Sequence, residues 1–124
     1  MASRQDEIWN RACLERGGSI PREGDHALAS LLQAHGLIMN DGVLHALEVL
    51  TPQERINAIA GYRYFGLIAA AQVLAQSYAD TDEAEKSSNS AYSVAVPNDE
   101  ALAHAFRVKL VACPEVFAPV AAHA

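Results

Sequence analysis

The sequence predicts an all-α single domain over 1–124: a compact bundle of about six helical segments with one long acidic, Ser-rich loop. Three observations carry this. Apolar residues recur at helical spacing through most of the chain. The apolar set is rich in Ala and Leu, with only one Trp, four Tyr and three Phe, and such a set favours close-packed helices over sheets. A chain of 124 residues, 51% of them hydrophobic, suffices for one core and not for two.

The elements follow in order. Ser3 is a predicted N-cap, with Asp6 and Glu7 in the first turn at the positive end of the helix dipole. Ile8, Trp9, Ala12 and Cys13 share a face, and Gly17-Gly18 ends that helix. The "SIPREG" stretch reads as loop because of Pro21 and its flanking glycines. A second helix is expected from about Asp25 to His35, with Leu28, Leu31, Leu32 and His35 on its apolar face and Gly36 as its stop. Asn40-Asp41-Gly42 reads as a turn in which Asp41 caps a short helix carrying Val43, Leu44, Leu47 and Leu50.

Thr51-Pro52-Gln53-Glu54 is a capping box with Pro at the first helical position, the strongest local signal in the chain. Ile56, Ile59, Ala60 and Tyr64 continue that helix. Its Gly61 costs about 1 kcal/mol relative to Ala, which suits a place where another helix comes close. Gly66 joins it to a further helix striped by Leu67, Ala71, Leu74 and Tyr78. Residues 79–97 read as a polar loop, with "YSVAVP" extended within it. Asn98-Asp99-Glu100 opens the last helix, whose Leu102, Ala105, Phe106 and Leu110 face inward and which Pro114 ends. The tail is expected to pack at Val116 and Phe117 and to fray over 118–124.

Composition also bounds function. A formal net charge of -6 argues against direct nucleic-acid binding, which needs a basic face, and suits a basic partner or simple solubility. Cys13 and Cys113 are too few for a disulfide framework, the first residues carry charge rather than an apolar leader, and the longest apolar run is too short to span a bilayer. The expectation is a reduced, cytoplasmic protein without a membrane role. The histidines His26, His35, His45, His104 and His123 lack metal-ligand spacing, and no nucleophile elbow, phosphate loop or dinucleotide fingerprint is present. No metal, cofactor or catalytic residue is therefore assigned. Asn40-Asp41-Gly42 lacks the later oxygen ligands of a calcium loop, since Val43, Leu44, Ala46 and Leu47 follow it.

What remains is carboxylate. Asp80, Asp82, Glu83 and Glu85 fall within six residues. Glu48, Glu54, Asp99 and Glu100 sit at helix starts or on polar faces and are candidates to extend them into one acidic contact surface.

The segment from Ile38 to about Gln76 resembles the core motif of a bacterial family of small helical proteins that includes an acidic DNA mimic. The family's hallmark is an Asn-Gly-Gly-aromatic turn opening a short helix, followed by a helix pair with Gly at the joint and an Ala/Leu-rich second member. The matching residues are Asn40, Asp41, Gly42 and Val43 at the turn, Gly66 at the joint, and "AAAQVLAQS" in the second helix. Asp41 stands for the first Gly and Val43 for the aromatic. In that family the characterised mimic is a dimer whose surface carboxylates engage a DNA-binding transcription factor, and the resemblance implies a non-enzymatic, protein-binding role. It does not carry the mimicry itself, because -6 is modest against a duplex with two charges per base pair.

The functional expectation is an interaction module, with a homodimer one arrangement open to it, that presents an acidic face to a basic protein. One alternative is an immunity-type protein that neutralises a basic toxin. The other is a small-molecule or enzymatic pocket lined by His45, Tyr62, Arg63 and Tyr64.

Overall fold

A computed structural model describes residues 3–120. In chain order the helices are α1 (Arg4–Glu15), α2 (Glu23–Asp41), α3 (Val43–Val49), α4 (Pro52–Tyr64), α5 (Ile68–Ala75), α6 (Asp82–Ala95) and α7 (Asp99–Ala112), followed by a 3-10 turn at Pro114–Val116. The all-α class is as expected. Among the described residues no helix is long and apolar enough to cross a membrane.

Local chemistry starts three of these helices, α1, α4 and α7, as expected. The Ser3 hydroxyl accepts from the Asp6 amide at 3.2 Å, and the Ser3 amide donates back to Asp6. Thr51 and Glu54 make the reciprocal pair, at 3.1 and 2.9 Å, and Asn98 accepts from the Ala101 amide at 3.1 Å. After α1, Arg16 takes a left-handed conformation before Gly17 and Gly18.

The centre of the bundle is α2, which packs most extensively on α4 and also on α1 and α3. Leu28, Leu31, Ala34 and Ile38 of α2 are buried together with Ile8, Ala58, Tyr62, Leu74, Phe106 and Phe117. Gly61 lies where α4 crosses α2: a Cβ there would sit 2.5 Å from the Ala27 carbonyl oxygen. The helix tolerates this glycine because a side chain would push its neighbour away.

Four expectations are corrected. First, α2 does not stop at Gly36 but runs to Asp41. Burial of His35 and Ile38 rewards continuation by more than the roughly 1 kcal/mol that an interior Gly costs. Second, Asp41 therefore ends α2 instead of capping α3. The kink is at Gly42, whose φ of 92° is open to glycine. The cap of α3 comes from elsewhere: Asn89 Oδ1 on α6 accepts from the Val43 amide at 2.9 Å.

Third, most of the polar loop assigned to 79–97, including most of "YSVAVP", is the helix α6. Its buried face is Ser88 and Tyr92, four residues apart, so hydropathy did not reveal the period. The Thr81 hydroxyl caps it, accepting from the Ala84 amide at 3.1 Å, with Asp82, Glu83 and Glu85 in the first turn. Fourth, the chain is held beyond 117. The Ala118 amide donates to Asp25 Oδ2 at 2.7 Å, and Arg11 donates to the carbonyls of Ala118 and Pro119, each at 3.0 Å. The rest of the tail expected to fray, including His123, lies outside the described residues.

Candidate functional site

The kink at Gly42 and the Asn89 cap together set α3 beside the start of α6. A groove of about 210 Å³ opens there, lined by Asp41, Leu44, His45, Glu48, Asp80, Thr81, Asp82 and Glu85. Glu48, Asp80, Asp82 and Glu85, all expected on an acidic surface, are brought together. Asp41 joins them, which sequence reasoning had assigned to a cap.

Among the lining residues only His45 could carry positive charge, and its Nε2 lies 3.6 Å from Asp41 Oδ2. The carboxylates are spread along the groove: among the described residues no three His, Cys, Asp or Glu side chains are grouped to hold a metal ion. What such a groove can do chemically is attract and orient a cationic side chain.

The other predicted carboxylates are placed elsewhere. Glu83 is exposed on α6 and does not line the groove. Glu54 closes its capping box and accepts from Gln33 Nε2 at 2.7 Å. The Thr51 amide, then the Gln33 amide, hold its carboxyl below its ordinary range. Glu100 pairs with Arg107 on the same helix. Asp99 accepts from His35 at 2.8 Å. Gly66 stands at the α4–α5 joint as expected, away from any of these groups.

Asp99 is the outer end of a chain that sequence reasoning missed. His35 Nε2 meets Asp99 Oδ1 at 2.8 Å, His35 Nδ1 meets the Tyr92 hydroxyl at 2.7 Å, and the Tyr92 and Tyr62 hydroxyls meet at 2.6 Å. Asp99 can only accept when ionised, so Nε2 carries a proton toward it. With His35 neutral, Nδ1 accepts from Tyr92, and Tyr92 accepts from Tyr62. Each hydrogen-bonding atom of this relay from Asp99 to Tyr62 then has a partner. The signal was available in His35 on an apolar face, but its partner Tyr92 lay in the stretch read as extended.

Burial raises both tyrosine hydroxyls, that of Tyr92 to about 12 and that of Tyr62 further. An unfolded tyrosine ionises near pH 10. Between those values the folded chain binds more protons than the unfolded one, so this contribution to stability is complete below pH 10 and is lost as pH rises toward 12. Urea unfolding between about pH 9 and 11 should show falling stability, with a flatter slope in the Tyr62→Phe/Tyr92→Phe double variant. An unchanged slope in that variant would place the alkaline loss in other groups.

The alternative pocket of His45, Tyr62, Arg63 and Tyr64 is not assembled. Tyr62 is buried in the core, Tyr64 lies under Lys109 with Nζ 4.5 Å from the ring centre, Arg63 is exposed and His45 lines the acidic groove. Cys13, expected to share the apolar face of the first helix, is exposed, with partial shielding that pushes its thiol up. Compared with family models, with curated proteins and with solved structures, the chain matches none.

Proposed function

We propose that the protein is a non-enzymatic interaction module whose groove between α3 and the start of α6 receives a Lys- or Arg-rich segment of a protein partner. One observation carries the reading: five carboxylates from three helices and a loop line one groove, with His45 as the sole basic group among them. The net charge of -6 gives the same sign at long range. The resemblance to a family containing a DNA mimic favours a DNA-binding protein as the source of that segment. Leu44 supplies an apolar contact for the methylene stem of a long cationic side chain.

The test uses the whole chain as bait at low and high salt, beside a variant carrying Glu48→Gln, Asp80→Asn, Asp82→Asn and Glu85→Gln. All four positions are exposed, so the fold should be unaffected. The expected partner is basic, is released by roughly physiological salt and above as exposed charges are screened, and is lost from the variant. Glu100→Gln, outside the groove, should retain it. Partners no more basic than background, or equal capture by the variant, would reject the reading.

A further inference from the structure

A larger cleft, of about 460 Å³, lies between α1, α2 and α4, apart from the acidic groove. Its apolar lining is Ala12, Ala29 and Leu32, small enough side chains to leave a hollow where three helices meet. Part of the polar lining is engaged, since Glu54 accepts from the Thr51 amide and from Gln33, while the Ser30 hydroxyl and the Asn57 NH2 group are open.

Ser30 is 8% exposed, and its hydroxyl makes no hydrogen bond among the described residues. A buried helical serine usually bonds back to a carbonyl of its own helix, as Ser88 does to Glu85. The Ser30 oxygen is not among the enclosed atoms left without a partner, so it is open to the cleft, to water and to a ligand that enters there. The Asn57 amide is half engaged: its oxygen accepts from Gln53 at 2.8 Å and its NH2 group is left over.

Beside Cys13, His26 and Gln33, two opposite charges stand in the lining. Arg16 comes from the end of α1 and Glu54 from the first turn of α4. They make no ion pair within 4.0 Å, although Arg16 contributes to holding the Glu54 carboxyl low. A cation and an anion therefore border one cleft with a gap between them. A simple acid would satisfy Arg16 alone and a simple amine Glu54 alone. A molecule with both charges close together satisfies both.

We propose that this cleft binds a small zwitterion of the α-amino acid class. Its carboxylate lies toward Arg16 with the Ser30 hydroxyl donating to it, its ammonium lies toward Glu54, and its side chain lies over Ala12, Ala29 and Leu32. The site stands independently of the acidic groove and of any partner bound there.

The experiment is amide NMR of the full chain titrated with each of the twenty standard α-amino acids. A positive is then retested as its deaminated acid and as its decarboxylated amine. Saturable shifts are expected at Ala12, Ala29, Ser30 and Asn57 with at least one amino acid, and both analogues should bind about tenfold more weakly or worse, each having lost one charged contact. Glu54→Gln should weaken binding similarly while the helix start survives, because Gln serves equally in a capping box. Arg16→Gln and Ser30→Ala should each weaken it too, and the four-fold groove variant should bind as the parent does. No saturable shift at concentrations about tenfold above a millimolar Kd would overturn the proposal. So would an analogue that binds as well as its parent, or unchanged binding in Glu54→Gln and Arg16→Gln.

Discussion

Replacing Asp25 is expected to cost the most stability of any single polar substitution in this chain. Its carboxylate is 1% exposed and meets three donors: Arg11 Nη2 at 2.7 Å, the Ala118 amide at 2.7 Å and the Arg22 amide at 3.0 Å. In Asp25→Ala the Arg11 guanidinium, itself only 15% exposed, loses its counter-charge, and two backbone amides lose their acceptor. Breaking a buried pair from one side costs about 3–5 kcal/mol, a large part of the roughly 5–15 kcal/mol that a domain has. Asp25→Asn should be nearly as damaging. All three partners donate, and the Asn NH2 group must point at one of them. Urea unfolding should show a lower midpoint with an unchanged slope. A loss below about 1 kcal/mol in both variants would mean that water replaces the lost acceptor.

The second large effect is a sign reversal between two glycines of helix interiors. Ala is favoured over Gly by about 1 kcal/mol in a helix. At Gly36 an added Cβ meets nothing within 4 Å, so Gly36→Ala should stabilise by up to that amount. At Gly61 the same methyl would sit 2.5 Å from the Ala27 carbonyl oxygen, which belongs to the backbone of α2 and cannot rotate aside. The α2–α4 contact must open, and overpacking of this kind costs about 1–3 kcal/mol or more. Thermal or urea unfolding of the two variants, side by side, reads both signs. Stabilisation by Gly61→Ala would show that the helices separate freely and that their crossing is looser than described.

These cases also show which features could be read from the residues. Ser3, Thr51–Glu54 and Asn98 were legible as helix starts, because each cap is closed by a residue three positions on. Gly61 was legible as a close approach, since such a contact is one reason for a helix to keep an interior glycine. Gly36 has the same local signature and no such neighbour, so a stop was expected where burial of His35 and Ile38 carries the helix on. The helix α6 escaped because its buried face is a serine and a tyrosine, and hydropathy counts both as surface. The acidic residues divided for a similar reason. That Glu48 meets Asp80, Asp82 and Glu85 depends on how α3 and α6 dock, which no local spacing encodes. Glu54, Asp99 and Glu100 were each engaged by a partner or a cap that charge alone does not reveal. Asp25 was placed at a helix start, and nothing nearby announced that Arg11 and Ala118 would close over it.

The contact between Asn89 and the Val43 amide bears on how the chain reaches this fold. α3 has only seven residues, too few to persist alone, and its first amide is capped from 46 residues away. Closing that loop costs chain entropy before the cap returns anything. α1 and α4 carry their starts within themselves and can form early and locally. α3 is a conditional element that becomes worthwhile only once α6 has arrived. The groove between them is thus a late product of assembly, and its acidic wall comes into being together with the contact that shapes it.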